Sequence, residues 1–520
     1  MTDKRKPPLG HTSSPETIPP GHAHHAESQR LPAWFGLALG ATVFALMLIV
    51  PPPGGMNADA WRVAAVAALM AIWWLTEAIP VAATALLPLA LFPMLGLDTM
   101  KAVATPYANP LIFLFLGGFL IALAVERWGL HRRIALTVLA RAGTRPRQLV
   151  GAFMGVAAGL SMWISNTAAT VMMLPIALSV IAIVVAAKNG DEGGPENGPE
   201  NGKDRFDGNP FSKALLIATA YGASMGGVAT LVGTPPNALL AGFVSDNLGL
   251  TIGFAQWMVL GVPTALTMLV TGWLILTRVV FRLDADAMPG AADAIKTQAQ
   301  RLPAMSTAEK RTALVFLATA ALWITRPLLQ DFVPGMHLSD AGIAVMAGVV
   351  LFCIPVDLKD RVFLLNWEWA KRLPWGVLLL FGGGLSLASQ VSASGLAAWI
   401  GESLTVFHGL ALILIIVIVT AVIVFLTELT SNTATTATFL PVIAALATAM
   451  DTPPMMLLAP TALAASMAFM MPVATPPNAI VFGGGHLTIP DMARAGFLVN
   501  LTAIAVISAL VWFLGPVLFG

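Results

Sequence analysis

Long apolar stretches dominate the chain, and short polar interruptions recur inside them. A helix needs about 20 residues to cross a hydrocarbon core of roughly 30 Å. On that measure the pattern predicts eleven spans, at 33–50, 60–78, 81–97, 108–128, 213–245, 255–281, 309–329, 339–355, 374–392, 456–483 and 495–518. Two further apolar regions, 147–187 and 407–449, each carry a Ser-Asn-Thr triplet near the middle: Ser165, Asn166, Thr167 and Ser431, Asn432, Thr433. Each region reads either as a pair of full spans or as a re-entrant hairpin. The leader 1–32 and the stretch 188–212 are polar and read as disordered segments, the histidines of the leader belonging to a polar tail.

Composition agrees with the pattern. The 520 residues are 57% hydrophobic and only 11% charged, with mean hydropathy +0.80, which places the chain among all-α polytopic membrane proteins. The segment 33–50 follows a long polar leader and lacks a small-residue cleavage site, so it reads as a first span and not a signal peptide. A lone cysteine, Cys353, excludes a disulfide framework and a thiolate metal cluster. With the N-terminus cytoplasmic, 25 of the 28 Lys and Arg fall on the inner side, and only Arg62, Lys101 and Arg326 fall outside. That bias predicts an inner-membrane, multi-pass protein with an extracytoplasmic C-terminus. The bilayer is its surrounding, and no nucleic-acid partner is expected.

A repeat lies beneath the pattern. Gly117, Gly118, Gly129, Ser165 and Pro175 answer to Gly383, Gly384, Gly395, Ser431 and Pro441, every pair 266 residues apart. Further on, GTPPNALL from Gly233 matches ATPPNAIV from Ala474 at a separation of 241. The difference of 25 equals the length of the 188–212 stretch, which reads as an insertion in the first copy. The chain is thus one lone span plus two copies of a unit of five spans and one hairpin. An odd number of crossings inverts the second copy, the arrangement of many secondary transporters.

The repeated motifs carry the chemistry. Polar backbone at membrane depth is tolerated only where it is buried in protein or lines a cavity. Ser and Asn start helices well, so each triplet predicts a helix N-terminus whose free N–H groups and positive dipole end face a bound anion. The Thr-Pro-Pro-Asn motifs predict unwound crossings that expose carbonyl oxygens for cations. Neither hairpin core nor either Thr-Pro-Pro-Asn loop contains Arg or Lys. Two helix ends supply roughly half a charge each, short of a doubly charged anion, so cations must enter with the substrate. An oxygen-only donor set favours Na⁺ over transition metals.

Paired Ser-Asn-Thr and Thr-Pro-Pro-Asn motifs in an inverted repeat resemble the divalent anion/sodium symporter family, the bacterial relatives of sodium-coupled di- and tricarboxylate transporters. The likeness runs from about Trp61 onward and includes WWLTEAIP at 73–80. It implies a homodimer whose transport domain moves elevator-fashion against a scaffold. Scaffold helices would lie at 33–128 (the first repeat from about 60) and 309–392, and the two parts of the transport domain at 147–281 and 407–520. By motif, the resemblance implies that both triplets touch substrate carboxylates, with Thr475, Pro476, Thr234 and Pro235. One Na⁺ site would use Ser161, Ser165, Asn166 and Gly233, the other Thr427, Thr430, Asn432 and Ala474. The substrate implied is a small divalent anion, foremost a C4-dicarboxylate such as succinate or malate. Sodium-independent dicarboxylate exchange, sulfate transport and a passive anion channel are the alternatives; an intramembrane hydrolase lacks a base beside either serine. Glu77 has no repeat counterpart and reads as structural, Glu428 reads either way, and His131, His337, His408 and His486 read as span-end residues.

Overall fold

The structure of the protein, a computed structural model, describes residues 33–189, 209–284, 291–332, 337–403 and 409–519. The leader and most of the predicted insertion, residues 190–208, lie outside the described residues, as does His408. Among the described residues the fold is helical apart from one short antiparallel strand pair, Pro355–Asp357 with Val362–Phe363.

Seven described helices are long and apolar enough to cross a membrane: Ala58–Thr76, Met100–Arg127, Asn166–Val184, Phe254–Val280, Thr307–Gln330, Trp375–Ala393 and Ile489–Phe519. Six coincide with predicted spans, and the seventh is the second arm of the first triplet region. The other predicted spans are short or divided, because helix breakers fall inside their apolar runs. The run 81–97 splits into Val81–Thr84 and Leu87–Met94, with Pro88 in the first turn of the latter. The helix Asp340–Cys353 stops just before Pro355. The predicted spans at 213–245 and 456–483 each become two half-helices around an unwound stretch: Pro210–Gly227 with Pro235–Leu248, and Met455–Ala465 with Pro476–Gly483. In both crossings the paired prolines occupy the first turn of the second half-helix, where their missing N–H and fixed φ are tolerated, and the unwinding lies before them.

The register of the repeat persists in the elements. Helices begin at Leu130 and Leu396, at Pro146 and Leu412, and at Asn166 and Asn432, each pair 266 residues apart, and at Pro235 and Pro476, 241 apart. The glycines that first exposed the repeat mark close approaches. A Cβ at Gly117 would lie 2.3 Å from the Ala344 backbone, and one at Gly383 2.3 Å from the Ala85 carbonyl, so each copy packs into the other through backbone contact. In the first crossing, Gly222 and Gly226 admit the carbonyls of Met154 and Ala158, at 2.4 and 2.2 Å from a would-be Cβ.

Candidate functional site

Each triplet sits at the start of a helix, behind a four-residue turn. The helix Pro146–Ser161 leads through 162–165 into Asn166–Asn189, and Leu412–Thr427 leads through 428–431 into Asn432–Ala449. The triplet asparagine is the first helical residue in both, so its N–H and the next have no acceptor within the helix. Ser165 behaves as the sequence predicts of a cap, its hydroxyl accepting from Ala168 N at 3.2 Å. Ser431 occupies the same place with extended backbone but makes no such side-chain bond. Ser165 and Thr167 are exposed, and Asn166 and residues 431–433 are half-buried.

Below each triplet the asparagine oxygen meets a hydroxyl from the preceding arm. The Ser161 hydroxyl donates to Asn166 Oδ1 at 2.5 Å, and the Thr427 hydroxyl donates to Asn432 Oδ1 at 2.9 Å. Ser161 and Thr427 are both buried, and they are 266 residues apart. The geometry repeats one turn on, where Thr170 donates to Asn166 O and Thr436 to Asn432 O. Around Asn166 the unwound stretch of the first crossing closes in. A Cβ at Gly227 would stand 2.6 Å from Asn166 Oδ1 and 3.2 Å from the Gly233 carbonyl, so Asn166, Gly227 and Gly233 form one oxygen-bearing nest. Around Asn432, Thr427 also donates to the carbonyl of Ala465, the last residue of the half-helix Met455–Ala465. Thr430 is turned away from this pair, bonding Leu426 O and Thr435 Oγ1. Ala474 is buried in the unwound stretch ahead of its prolines.

The two copies meet here. The helix Asn166–Asn189 packs against Pro476–Gly483, and Asn432–Ala449 packs against Pro235–Leu248. Thr234 faces Ser466 of the other crossing at 3.3 Å, both buried. Thr475 caps its own half-helix through Asn478 N. Pro235 is half-buried and Pro476 exposed. The arrangement offers hydroxyl, amide and carbonyl oxygens for hard cations beside unsatisfied N–H groups for an anion. Among the described residues no cluster of three His, Cys, Asp or Glu competes as a metal site.

Sequence reasoning missed two sets of residues. The asparagines of the Thr-Pro-Pro-Asn motifs brace the unwound stretches: Asn237 Nδ2 donates to Val228 O and Thr230 O, and Asn478 Nδ2 to Ala468 O and Met471 O. Part of the carbonyl supply expected to face cations is therefore used internally. The position of an asparagine three residues after the threonine was visible in the sequence; its acceptors seven to ten residues back were not. The second set centres on Glu428. Its buried carboxylate accepts from the N–H groups of Phe469, Met470 and Met471 at 2.6 to 3.0 Å and from Asn500 Nδ2 at 2.7 Å. It holds the second crossing in its unwound shape, while the first crossing uses Thr230, whose hydroxyl donates to Met162 O and accepts from Gly233 N. Glu77 ends the helix Ala58–Thr76 in left-handed backbone, a structural place.

Residues 32–520 match the family described as the sodium:sulfate symporter transmembrane region. A sodium-dependent dicarboxylate transporter, SdcS, of Staphylococcus saprophyticus is 42% identical over 487 residues, covering 93% of this chain and 92% of that protein. The SdcS of Staphylococcus aureus is 41% identical over the same coverage. Among solved structures, the Alcanivorax borkumensis YdaH transporter superposes with a TM-score of 0.58 at 13% identity, over 93% of this chain and 98% of that one. Neisseria gonorrhoeae MtrF gives 0.55 at 13% identity, over 93% and 95%; both likenesses concern the fold. Family and relatives are transporters, not enzymes. By a match that runs from residue 32 to the end and a relative 42% identical, the chain belongs to the sodium:sulfate symporter family of membrane transporters.

Proposed function

We propose that the protein imports a C4-dicarboxylate, such as succinate or malate, by symport with sodium. The carrying observation is the pair of hydroxyl-to-amide contacts, Ser161 with Asn166 and Thr427 with Asn432, each at a helix start whose first N–H groups have no acceptor within the helix. One oxygen of each asparagine is positioned for a cation, while the helix N-terminus it begins faces the anion. Sodium in the first site is held by Ser161, Ser165, Asn166 and Gly233, and in the second by Thr427, Asn432 and Ala474, with Thr430 contributing backbone. The substrate carboxylates meet the two triplets with Thr234, Pro235, Thr475 and Pro476. The names of the relatives favour a dicarboxylate over the sulfate of the family description.

In this reading the chain has eleven crossings and two re-entrant hairpins, a cytoplasmic N-terminus, and a homodimeric scaffold against which the site-bearing elements move as an elevator. The test is calorimetric titration of succinate into purified protein at several sodium concentrations, with choline holding ionic strength constant. Each ligand should raise the other's affinity by the same factor, about 5- to 150-fold for couplings of the usual size. An affinity independent of sodium would replace symport by obligatory exchange. Sulfate binding tighter than succinate would reassign the substrate.

A further inference from the structure

The threonines of the two Thr-Pro-Pro-Asn motifs start from the same local geometry. Thr234 and Thr475 precede their half-helices with nearly identical extended backbone, φ −145° and ψ 142° against φ −140° and ψ 150°. A threonine in this place ordinarily turns its hydroxyl onto the first turn of its own helix. Thr475 does so, accepting from Asn478 N at 3.3 Å, whereas Thr234 makes no such bond. Its hydroxyl instead faces that of Ser466, 3.3 Å away in the other crossing.

Backbone conformation does not explain the difference, so the partner does. The residue 241 positions before Ser466 is Met225, which has no hydroxyl to draw Thr475 across in the same way. Among the described residues the contact therefore has no counterpart from Thr475. Ser466 is fully buried and Thr234 is 2% exposed, so water does not replace a partner that either one loses.

The contact joins the surroundings of the two asparagines. Thr234 directly follows Gly233, whose carbonyl belongs to the nest around Asn166. Ser466 directly follows Ala465, whose carbonyl accepts from the Thr427 hydroxyl that also meets Asn432 Oδ1, both at 2.9 Å. One hydroxyl pair thus stands between a carbonyl of the first nest and the anchor of the second.

We propose that Ser466 is a positioning residue that couples the two sodium sites, holding Thr234 off its own helix and tying the first nest to the backbone that carries the second. The proposal rests on the sodium reading given above. An ion in one site fixes the unwound stretch beside it, and the hydroxyl pair passes that order to the other, so the second ion binds more tightly than the first. A neutral hydrogen bond of ordinary strength carries about a fivefold effect. For two equivalent sites, coupling of that size gives a Hill coefficient of about 1.4, against unity for independent sites.

Equilibrium binding of radioactive sodium to the purified full chain without succinate, with choline keeping ionic strength constant, tests it. The parent should bind with a Hill coefficient of about 1.4. Ser466→Ala frees Thr234 to cap its own helix as Thr475 does, and the coefficient should fall to unity. Thr234→Val, which keeps the shape and removes the hydroxyl, should have the same effect, and the double variant should match the singles. Thr234→Ser retains the hydroxyl and should keep the parent's coefficient. A purely structural role would weaken sodium binding without separating Thr234→Ser from Thr234→Val. A parent that binds no sodium overturns the sodium reading, and this proposal with it. A parent that binds sodium with a coefficient of unity overturns the proposal alone. So does a coefficient unchanged in Ser466→Ala or, should that variant not fold, in Thr234→Val.

Discussion

Replacing Gly227 by alanine tests the proposed cation site without replacing any proposed ligand. The added Cβ would lie 2.6 Å from Asn166 Oδ1, against the 3.4 Å at which ordinary contact begins, so the amide must withdraw by about 0.8 Å. The Gly233 carbonyl, at 3.2 Å, must also give slightly. Gly227 has ordinary helical backbone, so the substitution adds no conformational strain. What changes is the placement of one amide oxygen, with loss of the Ser161 contact worth about 1 kcal/mol in the empty protein. Residues that orient a metal's ligands typically contribute 10- to 100-fold to its affinity. The sodium concentration for half-maximal succinate uptake into proteoliposomes should therefore rise by about tenfold or more, with the helix content unchanged. The second copy carries alanine at the related position, Ala468, and there the hydroxyl-to-amide distance is the longer one, 2.9 against 2.5 Å. A sodium dependence within twofold of the parent would refute the assignment of Asn166 as a sodium ligand held in place by Gly227.

Three other substitutions probe separate parts of the structure. Asn166→Ala and Asn432→Ala should each abolish sodium-driven uptake while the protein stays folded and extractable; near-normal uptake in either would assign that triplet to packing. Glu428→Ala removes the acceptor of three backbone N–H groups and Asn500, and with about 1–3 kcal/mol for each buried donor left unsatisfied, it should lower the melting temperature sharply. Glu428→Gln should recover part of that loss, and a stable Glu428→Ala protein would contradict the bracing role. Burial holds His131 below the usual histidine pKa, despite its contact with Val125 O. The folded state then binds fewer protons than the unfolded one, so stability should decline as pH falls below about 6.5. His131→Gln should flatten that decline in thermal melts taken between pH 7.5 and 5 on the scale of roughly one histidine.

Much of the site was legible because symmetry wrote it twice. Ser165 and Ser431, or the two Thr-Pro-Pro-Asn motifs, are weak signals singly and strong ones at a constant separation. Span lengths were less legible: Pro88 and the residues around Pro355 sit inside apolar runs that composition cannot distinguish from continuous helix. The brace around Glu428 was hidden for another reason. Its partners stand 41 to 72 residues away, and the counterpart of Glu428 is Met162, so neither local pattern nor repeat pointed to it. The same holds for Gly227, whose importance is the space it leaves for a side chain from another element.

The fit of Gly222 and Gly226 against the carbonyls of Met154 and Ala158 has a mechanical meaning. Two helices in backbone contact at successive turns are keyed together: sliding one along the other by half a turn would drive alanine and methionine side chains into space that only glycine leaves free. The hairpin arm and the first half-crossing are therefore locked into one piece, and Ser161 on the first keeps its distance from the stretch that follows the second. A covalent tether between positions 154 and 222 would join two segments already in backbone contact. Asn166, Gly227 and Gly233 are thus held on one keyed unit, and any give between elements belongs to seams lined by larger, smoother side chains.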